Sequence, residues 1–120
     1  MSETAPAPSS LRDHPLLRRL RAELERCYGD RLERLILFGS RGRGDARTDS
    51  DWDVAVVLRG YDGDWEERHR LADLGYDLLL ETGFYIQPWP LEKGRLDDPG
   101  AHPHPRIGRA IQRDGIRIER

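Results

Sequence analysis

Hydrophobic positions follow two patterns along the chain, and the first of them predicts helices. Leucines three or four residues apart form one stripe within residues 13–28 and another within 65–81, which is typical of helices with one buried face. The stripes consist of Leu16, Leu17, Leu20 and Leu24 in the first helix and Leu71, Leu74, Leu78 and Leu79 in the second. Gly29 is expected to end the first helix. Shorter helices are expected near 41–45 and at 107–113.

The second pattern consists of short, uninterrupted apolar runs, which predict strands. The runs at 35–38 and 54–58 are typical of buried strands, and the second is rich in valine. A third strand is expected at 84–90, and a short apolar tail at 116–118 ends the pattern. The order strand, strand, helix, strand predicts an α+β fold, a small mixed β-sheet packed with helices.

Length and composition set wide limits on this picture. The 120 residues suffice for one domain, expected at 11–120, whereas residues 1–10 are rich in Ser, Ala and Pro and are expected to form a disordered tail. A net charge of −2 argues against a general nucleic-acid-binding protein, so no direct DNA binding is expected. The single cysteine cannot form an internal disulfide, and no apolar run is long enough to cross a membrane. These features favour a cytoplasmic location.

Two aspartates, Asp51 and Asp53, stand at the beginning of the strand at 54–58. Side chains two residues apart on a strand point to the same face, so both carboxylates project together while Trp52 faces the opposite side. Adjacent carboxylates repel each other unless a proton or cation lies between them, and oxygen ligands of this kind suit Mg²⁺. In the alternative interpretation Asp51 caps a turn and Asp53 is a solvated first residue of the strand.

A glycine-serine turn, Gly39-Ser40, interrupts the apolar run that precedes these aspartates. Glycine has no Cβ, so a bound anion can approach the main chain, and a serine at the start of a short helix adds a hydroxyl and an N–H group. Arg41, Arg43 and Arg47 follow and can balance the charge of a phosphate. Together with the aspartates, this turn predicts a site for a nucleoside triphosphate and a metal ion.

The order and spacing of these residues resemble the minimal nucleotidyltransferases of the DNA polymerase beta superfamily, whose signature is Gly-Ser, about ten residues, then Asp-x-Asp. The resemblance covers about 16–118, but only 39–53 is sharply specific. It implies a polymerase-beta-like fold in which Gly39 and Ser40 hold the β- and γ-phosphates. It also implies that Asp51 and Asp53 are catalytic ligands of Mg²⁺, while a nucleoside monophosphate passes to an acceptor hydroxyl and pyrophosphate leaves. Arg41 and Arg43 would complete the nucleotide-binding set.

One part of the family pattern is missing from the sequence. Active members carry a third carboxylate on a later strand, and the strand at 84–90 contains no acid. Tyr85 or Gln87 takes that position, and Gln87 is favoured. Glutamine offers at most a weak neutral ligand, so the site suits one metal ion shared with a triphosphate rather than efficient two-metal transfer. Glu81 and Glu92 flank the strand and are expected on neighbouring turns.

Two classes of function remain open. The first is an enzyme that binds Mg-NTP and transfers a nucleoside monophosphate to a hydroxyl of a protein or small molecule; by the resemblance, it could serve as the antitoxin of a HEPN-type toxin. The second is a catalytically weak or inactive module of the same fold that binds nucleotide and a protein partner.

Several other residues are expected to be structural. His14 and His69 are predicted at the surface, and His102 and His104 in a solvated loop. Trp65 and Trp89 are expected to pack against a helix rather than to stack on a base.

Overall fold

The computed structural model describes residues 5–6, 14–43, 50–95 and 105–118. Its helices are α1 (Pro15–Tyr28), α2 (Gly39–Arg43), α3 (Trp65–Thr82) and α4 (Pro105–Asp114). Its strands are β1 (Ala5–Pro6), β2 (Leu32–Phe38), β3 (Trp52–Leu58), β4 (Ile86–Glu92) and β5 (Ile116–Arg117). Short 3₁₀ turns at Gly29–Arg31 and Lys93–Arg95 follow α1 and β4. The two leucine-striped helices and the three main strands lie where the sequence predicts them, within a few residues.

The strands form one mixed sheet in the order β1-β5-β2-β3-β4. β2 pairs antiparallel with β3, whereas β4 pairs parallel with β3. A parallel neighbour requires a crossover connection, and α3 supplies it. The predicted α+β class, a small mixed sheet packed with helices, is therefore confirmed.

The sheet continues past β2 through two strands that the sequence did not predict. The tail at 116–118 contributes β5, which pairs antiparallel with β2. Ala5 and Pro6 then pair in parallel with Ile116 and Arg117, so this part of the expected disordered tail is a strand instead. The rest of residues 1–10 lies outside the described residues, and the domain boundary at 11 stays a prediction.

The two faces of the sheet bury different clusters. One face packs against α1 and α3 and carries the larger cluster, which includes Trp52, Val54, Val56, Leu58 and the leucine stripe of α1. The other face packs against α4 through a smaller cluster of Ile36, Phe38, Ala55, Val57, Leu91 and Ile111. Alternate residues of β3 thus serve opposite faces, as the pleat requires.

The first turn of α1 is held by His14, whose Nδ1 accepts a hydrogen bond of 3.2 Å from the backbone N–H of Leu16. The imidazole ring is half-buried, with its centroid 4.7 Å from that of Trp52, so the prediction of a surface histidine is wrong. Burial and, secondarily, the charge of Arg41 lower the pKa of His14, which keeps the ring neutral and able to accept the capping bond.

Helix α3 begins with a cap from Asp64, which accepts a hydrogen bond from the N–H of Glu66 at 3.1 Å, and ends at Gly83 in the left-handed conformation. Trp65 is 64% exposed and stacks on His69 at 5.1 Å, so its predicted packing against a helix is wrong, while His69 lies at the surface as predicted. His102 and His104 lie outside the described residues. Within the described ranges, no helix combines the length and apolar character needed to cross a bilayer.

Strand β4 lies at the edge of the sheet and contains Pro88 and Pro90. The N–H of Trp52 donates to the carbonyl of Tyr85 at 2.9 Å. This bond fixes the parallel register of the two strands. The N–H groups of Gln87, Trp89 and Leu91 therefore face β3, whereas the nitrogens of the two prolines face outward. The prolines therefore remove no hydrogen bond from the sheet.

Candidate functional site

The two predicted metal ligands lie together at the beginning of β3. Asp51 immediately precedes the strand and is exposed, and Asp53 is its second residue and half-buried. Trp52 between them is only 2% exposed and belongs to the cluster beneath α1 and α3, as predicted. Both carboxylates consequently emerge on the other face of the sheet, beyond the end of the small cluster under α4.

Strand β4 supplies one hydrogen-bond donor to each carboxylate. Gln87 Nε2 donates to Asp51 Oδ2 at 3.2 Å, and the indole N–H of Trp89 makes a longer bond of 3.4 Å to Asp53 Oδ1. Gln87 is paired in register with Asp53 on the neighbouring strand. An amide therefore lies beside the carboxylates at the position that the sequence favoured for the missing third acid, with Tyr85 one pleat farther out.

The environment of Asp53 disfavours its negative charge. Burial is the main cause and raises the pKa of Asp53, while the indole N–H of Trp89 opposes that change and the charge of Asp51 adds to it. A proton or a divalent cation between the carboxylates would offset the unfavourable charge.

The glycine-serine turn lies against Asp53. Gly39 has φ +71°, a left-handed conformation that other residues avoid, and a Cβ at this position would lie 2.8 Å from Asp53 Oδ2. Ser40 follows in the first turn of α2 and is half-buried. Glycine is therefore required both by the backbone and by the approach of the carboxylate, and this contact places the turn next to the predicted metal ligands.

A second glycine fixes α2 against the rest of the molecule. A Cβ on Gly42 would lie 2.3 Å from the carbonyl oxygen of Asp114 and 2.9 Å from that of Leu37. Only a glycine lets α2 pack this closely on the end of α4 and on β2. Sequence reasoning missed this role, because residue spacing does not show that 42 and 114 meet.

Arg41 extends to the face of β3 opposite the carboxylates. Its guanidinium lies over the ring of Trp52, 4.2 Å from the centroid, and Nη2 donates to the carbonyl oxygen of Ser50 at 3.0 Å. Direct phosphate binding by Arg41 would require it to leave these contacts. Arg43 ends α2, but its side chain lies outside the described part of the structure, as does all of Arg47.

No other acid in the described ranges completes the site. Glu81 is paired with Arg19 at 3.0 Å, and Glu92 lies opposite Leu58 at the far end of β3. In the part of the chain that the structure describes, no three His, Cys, Asp or Glu residues converge as a metal site would require. Among the described residues the donor set is therefore two carboxylates, which suits one Mg²⁺ that takes its other ligands from phosphate oxygens and water.

The carboxylates lie on an open surface and not in the cavity of about 160 Å³ elsewhere in the molecule. That cavity lies toward the other end of β2 and is lined by Arg21, Arg34 and Arg117 among other residues. The described residues would thus contact a ligand of the candidate site from one side only.

Sequence comparison identifies the family. The family model described as polymerase beta, nucleotidyltransferase matches residues 24–86, more than half of the 120-residue chain. The chain belongs to this nucleotidyltransferase family. The match includes the glycine-serine turn and both aspartates, although the individual roles of Gly39, Ser40, Arg41 and Arg43 stay predictions. No curated protein matches the sequence.

Solved structures share the fold of this chain at low sequence identity. A toxin-antitoxin structure with AMP-PNP has a TM-score of 0.58 and 19% identity, and the alignment covers 84% of this chain and 71% of the other. A candidate nucleotidyltransferase from Sulfolobus solfataricus has a TM-score of 0.55 and 21% identity, with 85% and 75% covered. A mutant of the toxin-antitoxin MntA-HpeT, in which two aspartates are replaced by glutamates, has a TM-score of 0.58 and 17% identity. The alignment covers 84% of this chain and 71% of the other.

Proposed function

We propose that this nucleotidyltransferase-fold protein binds Mg-NTP and transfers a nucleoside monophosphate to a hydroxyl of a protein or small molecule. One observation carries the proposal: Asp51 and Asp53 lie side by side on an open surface, and the Gly39 turn lies against Asp53. This arrangement supports a phosphate-binding turn and a cation site within one local structure.

The residues of the turn bind phosphate, and the two aspartates bind the cation. Gly39 and Ser40 bind the β- and γ-phosphates through main-chain N–H groups and the serine hydroxyl, and Arg43 adds positive charge. Asp51 and Asp53 hold the cation, which when bound neutralises the charge that develops on the phosphates. Arg41 acts from the face of β3 opposite the carboxylates, where its hydrogen bond to the carbonyl oxygen of Ser50 holds the residue that precedes Asp51.

The transfer itself exchanges one phosphorus–oxygen bond for another. The acceptor hydroxyl gives up its proton to water, its oxygen bonds to the α-phosphorus, the bond from that phosphorus to the bridging oxygen breaks, and pyrophosphate leaves. Little covalent chemistry falls to the protein, whose contribution is to position the triphosphate and to balance charge.

A protein partner of the HEPN type is proposed as the acceptor or as the bound target. Two of the structures with this fold are toxin-antitoxin structures, and one of them contains AMP-PNP. In the other, two aspartates two positions apart are changed to glutamate, which draws attention to a pair like Asp51 and Asp53. An antitoxin role for this chain is consistent with these likenesses.

A second candidate function rests on Gln87. Its amide lies beside both carboxylates, where it cannot neutralise a second cation or take up a proton as a carboxylate would. The same surface would then bind Mg-NTP and a protein partner without efficient turnover.

The binding experiment is calorimetry with Mg²⁺ and each of ATP, GTP, CTP and UTP. We expect at least one nucleotide to bind. The Asp51→Asn, Asp53→Asn double variant should lose on the order of 100-fold in affinity, because both cation ligands are removed and even loss of a ligand's hydrogen-bond partner costs about 10- to 100-fold. Asp73→Asn, Asp77→Asn is the matched control, since it removes the same charge from an exposed part of α3. Failure of all four nucleotides to bind the wild-type protein would refute the proposal.

Pyrophosphate release separates the enzyme from the inactive module. The isosteric change Gln87→Glu puts a third carboxylate beside Asp53, so we expect it to increase Mg²⁺-dependent pyrophosphate release in the presence of an acceptor. Wild-type release that requires Asp51 and Asp53 establishes the enzyme. Nucleotide binding without release in the wild type, together with release in Gln87→Glu, supports the second function.

A further inference from the structure

An exposed aromatic residue, Tyr85, immediately precedes β4, the strand next to the carboxylates. Phe84 packs toward Trp52 and His14, with centroid distances of 6.1 and 5.7 Å, on the face beneath α1 and α3. Gln87 contacts Asp51 on the opposite face. Because side chains alternate along an extended chain, Tyr85 projects on the same face as Gln87 and the carboxylates. Tyr85, Gln87 and Trp89 therefore form a row parallel to Asp51 and Asp53.

The main chain of Tyr85 is held in the sheet while its ring is open. The carbonyl oxygen of Tyr85 accepts the hydrogen bond from the N–H of Trp52 at 2.9 Å, which continues the pairing of β4 with β3. The residue is 47% exposed, and no ring in the described part of the chain stacks on it. A fixed backbone with an open aromatic face is suited to receive a planar group.

The direction in which a nucleotide crosses the site follows from the order of the strands. The Gly39 turn follows β2, the carboxylates are on β3, and Tyr85 precedes β4. Neighbouring strands are about 4.8 Å apart. A triphosphate with its terminal phosphates at the turn and its α-phosphate at the carboxylates therefore runs from β2 toward β4. The nucleoside, which follows the α-phosphate, is then carried to the side of Tyr85.

We propose that Tyr85 is the platform on which the nucleobase stacks. The proposal rests on the function proposed above and adds the second half of the ligand site. Stacking on an aromatic ring tolerates every base, because each has a π-face, so Tyr85 confers affinity for nucleosides with little base selectivity. The half-buried Trp89 is held by its bond to Asp53 and supports the cation site instead.

The test compares two ligands that differ by the nucleoside. Calorimetry with Mg²⁺ is run with AMP-PNP and, separately, with inorganic tripolyphosphate, which occupies only the phosphate part of the site. We expect Tyr85→Ala to weaken AMP-PNP binding about 5- to 150-fold and to leave tripolyphosphate binding unchanged. Tyr85→Phe, which keeps the ring, retains wild-type affinity for both ligands.

Tyr76→Ala is the matched control, because Tyr76 is 59% exposed on α3 and does not belong to the row on β4. It should change neither affinity. Any one of three results overturns the platform. The first is that Tyr85→Ala binds AMP-PNP as tightly as the wild type does, and the second is that this variant loses affinity for AMP-PNP and tripolyphosphate equally. The third is that the wild type binds AMP-PNP and tripolyphosphate with equal affinity. If the wild type binds tripolyphosphate but the first result is found, the function proposed above stands and only the role of Tyr85 fails. If the wild type binds neither ligand, the platform fails, whereas the function proposed above fails only if ATP, GTP, CTP and UTP also do not bind.

Discussion

The two faces of β3 differ in how completely they are covered. Toward α1 and α3, the side chains of Trp52, Val54 and Val56 are at most 2% exposed and belong to one continuous cluster. On the other face α4 covers Ala55 and Val57 but leaves the end at Asp51 and Asp53 open. One face of this strand thus contributes to the stability of the fold, and the other carries the candidate ligand-binding residues. Substitutions on the two faces should therefore separate the free energy of unfolding from ligand binding.

The largest expected effect on stability is on the covered face. Leu20 of α1 is fully buried, so Leu20→Ala removes apolar contacts and leaves a cavity, and we expect it to lower the free energy of unfolding by about 2–5 kcal/mol. Urea unfolding measures the loss. Leu80→Ala is the control, because Leu80 is 69% exposed and its truncation should change stability by about 0.5 kcal/mol or less. Loss of Mg-nucleotide affinity in folded Leu20→Ala would show that the faces are coupled.

A smaller change in stability, with a large one in binding, is expected at the turn. Gly39→Ala forces a left-handed conformation at a cost of about 1–2 kcal/mol and pushes a Cβ toward Asp53. Gly60→Ala is the matched control, since Gly60 has φ +75° but open space around it. We expect similar losses of stability in urea, whereas calorimetry should show loss of Mg-nucleotide binding only in Gly39→Ala. Equal Mg-nucleotide binding by both variants would show that the Gly39 turn is not part of the nucleotide-binding site.

The smallest expected effect is an increase in the free energy of unfolding, whereas the two changes above lower it. The pKa of Asp53 is raised above the unfolded value of 3.8, so the folded state binds the proton more tightly. The resulting contribution to stability is present below pH 3.8 and is lost as the pH rises through the folded pKa. Asp53→Asn, which stays neutral, should therefore stabilise the metal-free protein at pH 7, and the gain should be small because solvent screens a half-buried group.

Unfolding of wild type and Asp53→Asn at several pH values checks this prediction. The advantage of the variant should be small near pH 3.8, grow as the pH rises and then level off. Addition of Mg²⁺ and nucleotide should reverse the order at pH 7 by stabilising only the wild type. A variant that is less stable than the metal-free wild type at every pH would contradict the picture of a carboxylate kept for binding at the expense of stability.

The sequence predicted the parts of the molecule that depend on local pattern. Both leucine stripes, the apolar runs of β2 and β3, and the shared orientation of Asp51 and Asp53 follow from periods of 3.6 and 2 residues, and the structure has all of them. The family signature also gave the correct family. Periodicity is reliable here because each element buries one continuous apolar face.

The features that the sequence did not predict depend on contacts between distant residues. β1 and β5 have two residues each, too few for a periodic pattern, and they exist because they pair with each other and with β2. The side-chain direction of Arg41 depends on the ring of Trp52, eleven positions along the chain. The close packing of Gly42 depends on the end of α4. None of these contacts leaves a signal in residue spacing.

The prolines of β4 limit how other molecules can join this sheet. Pro88 and Pro90 replace outward N–H groups along the free edge, and a further strand would need those donors to extend the hydrogen-bonded ladder. The edge is thereby protected from strand-by-strand aggregation. At positions 88 and 90 the main chain can still accept hydrogen bonds through its carbonyl groups but cannot donate them, so an added strand would find only part of the usual ladder.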